Sequence, residues 1–247
     1  MVRFYTSCLT LGLLCATLPL VAQTNLVVTT PASSTPGSQN TYIGVGAVNS
    51  STANTGTDNV SVGYLAGASN TSGRNNLMIG SQSGVSNTVG SNNAFIGYST
   101  GSTNTTGRSN AFIGSFAGSV NTEGNNNVFI GYFTGTTNGK GTNNMFLGSG
   151  SGLLNFSGNN NSYLGTASGF NNSTSSFNVA VGDSAGYNNT AAGNTFLGSR
   201  AGFGNTDGAL NTFVGFQSGY TSKGGANTFI GYQAGRGNTT GTDNVFL

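Results

Sequence analysis

The sequence has no His and no Trp, and its two cysteines, Cys8 and Cys15, both sit near the N-terminus. Missing His removes the usual general base and the commonest metal ligand. Charge is equally scarce. Asp58, Glu123, Asp183, Asp207 and Asp243 are the only acids, and with seven basic residues they make up 5% of the chain, where about a quarter is ordinary. A net charge of +2 is far too small to hold a polyanion by counterion release, which argues against nucleic acid and anionic membrane as partners.

Arg3 followed by an apolar run over 8–21 has the form of a secretory signal, and the run is too short to cross a bilayer as a helix. Residues 1–22 are therefore expected to be a signal peptide, cut after Ala22. Both cysteines leave with it, so disulfides, Cys-ligated zinc and Cys nucleophiles drop out of the mature chain. The expectation is a secreted or bacterial cell-surface protein with no transmembrane segment after cleavage.

What the chain does contain is Gly, 42 of 247 residues, arranged in a repeat that spans residues 40–247. Triplets such as Tyr-Ile-Gly and Phe-Ile-Gly end at Gly44, Gly63, Gly80, Gly97, Gly114, Gly131, Gly148, Gly165, Gly182, Gly198, Gly215 and Gly231. The period is 17 residues, with a longer first unit and single-residue deletions late in the chain. Four places before each Gly stands an Asn without exception, among them Asn76, Asn93, Asn110, Asn127, Asn144 and Asn161. Immediately before the Gly is Ile, Leu or Val. One place earlier the residue is aromatic except at Ser61, Met78 and Ala180. A second Gly follows four places on, except in the first unit, where Val48 stands instead, and it is preceded only by Ala, Ser or Thr.

A unit this poor in helix formers cannot be a helical hairpin: Gly, Asn, Thr and Ser favour turns, while Phe, Ile, Val and Tyr favour strands. Fixed-period repetition points to a parallel β-solenoid of about twelve coils. One apolar pair per unit suits a flattened two-sided roll, expected to carry two short strands and two turns per coil. The Asn column is expected to form a ladder of amides bonded from coil to coil.

Neighbouring residues on a strand point to opposite faces. With the Ile column assigned to the interior, the aromatic column faces outward. Phe95, Phe112, Phe129, Phe146, Phe196, Phe213 and Phe229 then form an exposed stripe and a candidate oligomer interface. A second run of bulky residues, Phe170, Tyr187, Phe203 and Tyr220, follows the second Gly in the later coils and is a candidate surface patch.

The run Asn93-Ala94-Phe95-Ile96-Gly97, with Gly101 and Asn104-Thr105-Thr106-Gly107 after it, resembles the head repeats of YadA-type trimeric autotransporter adhesins. It is also similar to repeats of tail-fibre-like bacterial surface proteins. The resemblance covers residues 40–247 and implies left-handed β-rolls associating as a homotrimer that binds host or matrix surfaces. The 17-residue unit is longer than the usual adhesin coil, and no heptad stalk or membrane-anchor strands follow. The sequence stops mid-unit at Leu247, so a fragment of a longer fibre or a partner-capped end is expected. Residues 23–39, with Pro31 and Pro36, form a polar lead-in that is either a capping strand or a tether.

Ice binding is the alternative, because Ser69-Asn70-Thr71, Ser86-Asn87-Thr88 and Thr103-Asn104-Thr105 would place hydroxyls outward in ranks. The ranks fail at Val120, Leu154 and Gly204. Calcium-bound solenoids need carboxylates in every coil and glycoside hydrolases need them in pairs. The five acids here do neither, so no cofactor, metal or catalysis is expected. Arg74 and Arg108 share a register two coils apart, an arrangement that could touch acidic glycans but more often serves solubility.

Overall fold

The computed structural model describes Gly37, residues 39–47 and residues 54–247. The expected signal peptide, nearly all of the lead-in and the irregular position Val48 lie outside the described residues.

The described residues form thirteen short strands: β1 (Thr41–Ile43), β2 (Val60–Val62), β3 (Leu77–Ile79), β4 (Ala94–Ile96), β5 (Ala111–Ile113), β6 (Val128–Ile130) and β7 (Met145–Leu147). They continue as β8 (Ser162–Leu164), β9 (Val179–Val181), β10 (Thr195–Leu197), β11 (Thr212–Val214), β12 (Thr228–Ile230) and β13 (Val245–Phe246). They lie in chain order in a single sheet, every neighbour parallel and in register, so that Phe95 pairs with Phe112 and Phe112 with Phe129. This is the all-β parallel solenoid, each strand one coil from the next. Twelve steps of about 4.8 Å give a rod about 58 Å long.

Each coil holds one strand rather than the expected two. The reason lies in backbone conformation after the triplet. In the coil of β5, Gly114 has φ 126°, Phe116 60° and Gly118 55°, three positive values at alternate residues that curl the chain instead of extending it. Coil-to-coil hydrogen bonding persists through this turn side, as in Gly101 N–H to the Ala117 carbonyl at 3.0 Å and Thr105 N–H to the Thr122 carbonyl at 3.0 Å. The corner glycine is obligatory, because a Cβ on Gly114 would lie 2.4 Å from the Gly131 carbonyl oxygen.

A further left-handed residue precedes each Asn of the column four places before the corner glycine, for example Asn126 at φ 56° and Asn143 at 57°. Asn tolerates this region better than other side chains. Phe177 occupies the same column at φ 62° with 66% of its surface exposed. The expected outcome of Phe177→Asn is therefore a gain of about 1 kcal/mol, read as a higher urea midpoint at unchanged slope.

The aromatic column is inside, which corrects the outward assignment. Phe95, Phe112, Phe129, Phe146, Phe196, Phe213 and Phe229 are all 0% exposed, so none is available as an oligomer interface. Alternation along the strand holds, with the two faces exchanged. Flat rings repeat at the coil step and stack, as Phe112 on Phe129 at 4.7 Å and Phe129 on Phe146 at 4.8 Å, within 7° of parallel. The second glycine makes room for them: a Cβ on Gly118 would meet Phe112 Cε2 at 2.5 Å. A β-branched Ile cannot fill such a slot by stacking. Tyr163 continues the stack above Phe146 at 4.9 Å. Burial pushes its hydroxyl well above the ordinary tyrosine pKa, opposed by the hydrogen bond it accepts from the Asn172 amide.

Beside the rings run two amide ladders. In the expected one, Asn110 Oδ1 accepts the backbone N–H of Asn127 at 3.0 Å, and Asn110 Nδ2 donates to the Gly124 carbonyl at 2.8 Å. Asn76, Asn93, Asn127 and Asn144 repeat both contacts, and Asn161 does so with Ser175 in place of the glycine. The second ladder comprises Asn70, Asn87, Asn104, Asn121, Asn138 and Asn155, with amide-to-amide bonds such as Asn104 Nδ2 to Asn87 Oδ1 at 2.7 Å. The two meet at one backbone carbonyl per coil: that of Gly124 accepts from both Asn110 and Asn121, and Ser175 and Ala191 take the place of the glycine in later coils. The amides are thus paired, as buried polar groups require, except at Asn155 Oδ1, which has no partner because the next amide, Asn172 Nδ2, donates to the Tyr163 hydroxyl and the Ser175 carbonyl instead.

Candidate functional site: the outer sheet face and the aromatic rows

Turning the rings inward turns two other columns outward. The residue before each ring and the residue after it form the solvent face of the sheet. The column after the ring is Ile, Leu or Val throughout, and Ile79, Ile113, Ile130, Leu164, Leu197 and Ile230 are all among the exposed large hydrophobics. The column before it is mixed, from Leu77, Val128, Met145 and Val179 to Thr195, Thr212 and Thr228. No strand of the thirteen carries a charged residue. Where Ala94 and Ala111 replace larger neighbours, the face dips into an open hollow of about 480 Å³ edged by Leu77, Asn75, Asn92 and Ser109. The exposed stripe expected of the aromatic column lies instead on the Ile, Leu and Val column beside it. Shape could have decided the matter, since the second glycine's absent side chain leaves a flat slot beside the strand.

Phe170, Tyr187, Phe203 and Tyr220 come together as a half-buried stack with centroids 4.9, 5.2 and 5.1 Å apart. Each interior ring has both faces covered by its neighbours. Arg236 lies 5.9 Å from the centre of the Tyr220 ring and so covers part of the last one. The run works as a supplementary apolar ladder of the later coils and presents ring edges to solvent.

Another aromatic row went unnoticed in the sequence because it skips coils. Tyr64, Tyr98 and Tyr132 follow their corner glycines directly, Ser81 and Ser115 fill the coils between, and Ser149 follows in the next coil. The three tyrosines are 53%, 47% and 55% exposed. Tyr98 and Tyr132 stand edge-to-face against Phe116 and Phe133, at 5.3 and 4.3 Å. Phe116 and Phe133 are themselves stacked at 4.8 Å, which makes a firm backing.

The Thr ranks behave differently from their outward reading. Thr71, Thr88, Thr105 and Thr122 are half-buried, and each Oγ1 donates to the carbonyl of the same column in the next coil at 3.0 Å. Asn70, Asn87 and Asn104 between the hydroxyl pairs do point inward.

Charged groups are dispersed. Asp58, Glu123, Asp183, Asp207 and Asp243 are all exposed, and Glu123 pairs with Lys140 at 3.5 Å. Among the described residues no three His, Cys, Asp or Glu side chains gather as metal ligands, and no helix is long and apolar enough to cross a membrane. Arg74 and Arg108 are exposed. No protein-family model, curated protein or solved structure matches this chain.

Proposed function

We propose that the chain is a segment of a secreted or cell-surface fibre that associates with copies of itself through the outer sheet face. Three chains side by side is the arrangement implied by the resemblance to adhesin heads, and an adhesive or spacer role follows from an extended rod with its other sides free. The observation that carries the reading is the uncharged, largely apolar outer face running unbroken over thirteen strands. A strip about 58 Å long and about 10 Å wide covers about 600 Å². Solitary soluble proteins rarely expose an apolar patch larger than a few hundred Å². The strip also approaches the roughly 800 Å² per partner of a standard interface.

Light scattering after gel filtration tests this. The expected mass is three chains for the protein and one chain for Ile113→Glu, whose charge sits mid-face, with the circular dichroism spectrum unchanged. A monomeric parent protein overturns self-association through this face.

A further inference from the structure

We propose that the Tyr64–Tyr98–Tyr132 row binds an extended β-1,4-linked polysaccharide lying along the rod. The argument rests on the difference between this row and the stacked series. Where aromatic residues occupy consecutive coils, as from Phe170 to Tyr220, they cover one another's faces. The alternation Tyr64, Ser81, Tyr98, Ser115, Tyr132, Ser149 leaves each tyrosine without a parallel neighbour. Successive rings are then two coil steps apart, about 9.6 Å, which nearly equals the disaccharide repeat of an extended β-1,4-linked glycan. Every second sugar of such a chain turns the same face to the rod, so each tyrosine meets an equivalent apolar C–H face.

Stability of the fold does not account for these rings, which are about half exposed. The edge-to-face contacts of Tyr98 and Tyr132 with the Phe116–Phe133 stack hold two of the three rings in place before any ligand arrives, a geometry aromatic pairs favour. The phenolic hydroxyls supply polar ends beside the sugar hydroxyls. No charged side chain belongs to the row or to its intervening serines, in keeping with a neutral glycan. The proposal goes beyond the fibre reading and does not depend on the number of chains.

The test is retention of purified protein on insoluble cellulose and chitin, with amylose as an α-linked control of different repeat. Retention on at least one β-linked glycan and not on amylose is expected. Each Tyr→Ser change is expected to weaken it about three- to tenfold, and Tyr64→Ser/Tyr98→Ser/Tyr132→Ser together to abolish it. Serine already occupies this column at Ser81, Ser115 and Ser149, so the variants keep the fold, checked by an unchanged circular dichroism spectrum and a single cooperative thermal transition. Solution mass should also stay that of the parent, which separates failure here from failure of self-association. No retention on either β-linked glycan, equal retention on amylose, or a triple variant that binds like the parent each overturns the proposal.

Discussion

Phe129→Ala is expected to lower the unfolding free energy by about 3–5 kcal/mol, the range for removing a fully buried phenylalanine. The ring is 0% exposed and lies between Phe112 and Phe146 at 4.7 and 4.8 Å. Its removal therefore breaks two stacks at once. The slot can scarcely collapse, since the coil spacing is fixed by backbone bonds on both sides, such as Val128 N–H to the Asn144 carbonyl at 2.8 Å. In a solenoid each coil contacts only its neighbours, so a central lesion also weakens the coupling between halves. Urea unfolding on the Ile113→Glu background gives the comparison free of any assembly. There, Ile130→Ala, one residue along the same strand and 38% exposed, should change stability by less than about 1 kcal/mol. Equal effects at the two positions would contradict the ring-in, Ile-out arrangement.

Asn110→Asp is expected to be comparably severe at neutral pH and to recover in acid. Asn110 is 1% exposed, and its Nδ2 donates to the Gly124 carbonyl at 2.8 Å. An ionised Asp places a second oxygen against that carbonyl, leaving a buried charge without a counter-ion, which costs about 3–5 kcal/mol. The neutral acid can donate an O–H to Gly124 in the amide's place. The native pKa of the introduced acid therefore lies above its unfolded value of about 3.9. Below the unfolded pKa both states are protonated and the variant is at its most stable. Stability is lost as pH rises from there through the native pKa, because the native state then holds a proton that the unfolded state has released. Urea midpoints relative to the parent between pH 3 and pH 8 measure this. A flat difference across that range would mean that the Asp side chain has left the ladder.

The fold class was legible because fixed-period repetition leaves few alternatives. A strict Asn at one position of every unit, with Ile, Leu or Val three places on, cannot survive twelve repeats unless coils superpose in register. The Asn76–Asn161 ladder was readable for the same reason. The second ladder, Asn70, Asn87, Asn104 and their successors, is equally regular in the sequence, but the hydroxyls flanking each Asn make the same triplets look like an outward rank. The number of strands per coil was not readable, because Phe116, Phe133 and Gln217 give no local sign that their backbones are left-handed at φ 54–60°.

Alternation along the triplet determined that Phe112 and Ile113 lie on opposite faces, and composition determined that charge plays almost no part. Which of the two faces is inside is a tertiary matter. It turns on the space opened opposite β5 by Gly118, a residue six positions away from the ring it accommodates. It also turns on the match between the coil step and the centroid spacing of offset-stacked aromatic rings, 4.7–4.8 Å here. Hydrophobicity ranks Phe and Ile alike, and only shape, expressed once the coils are stacked, tells them apart.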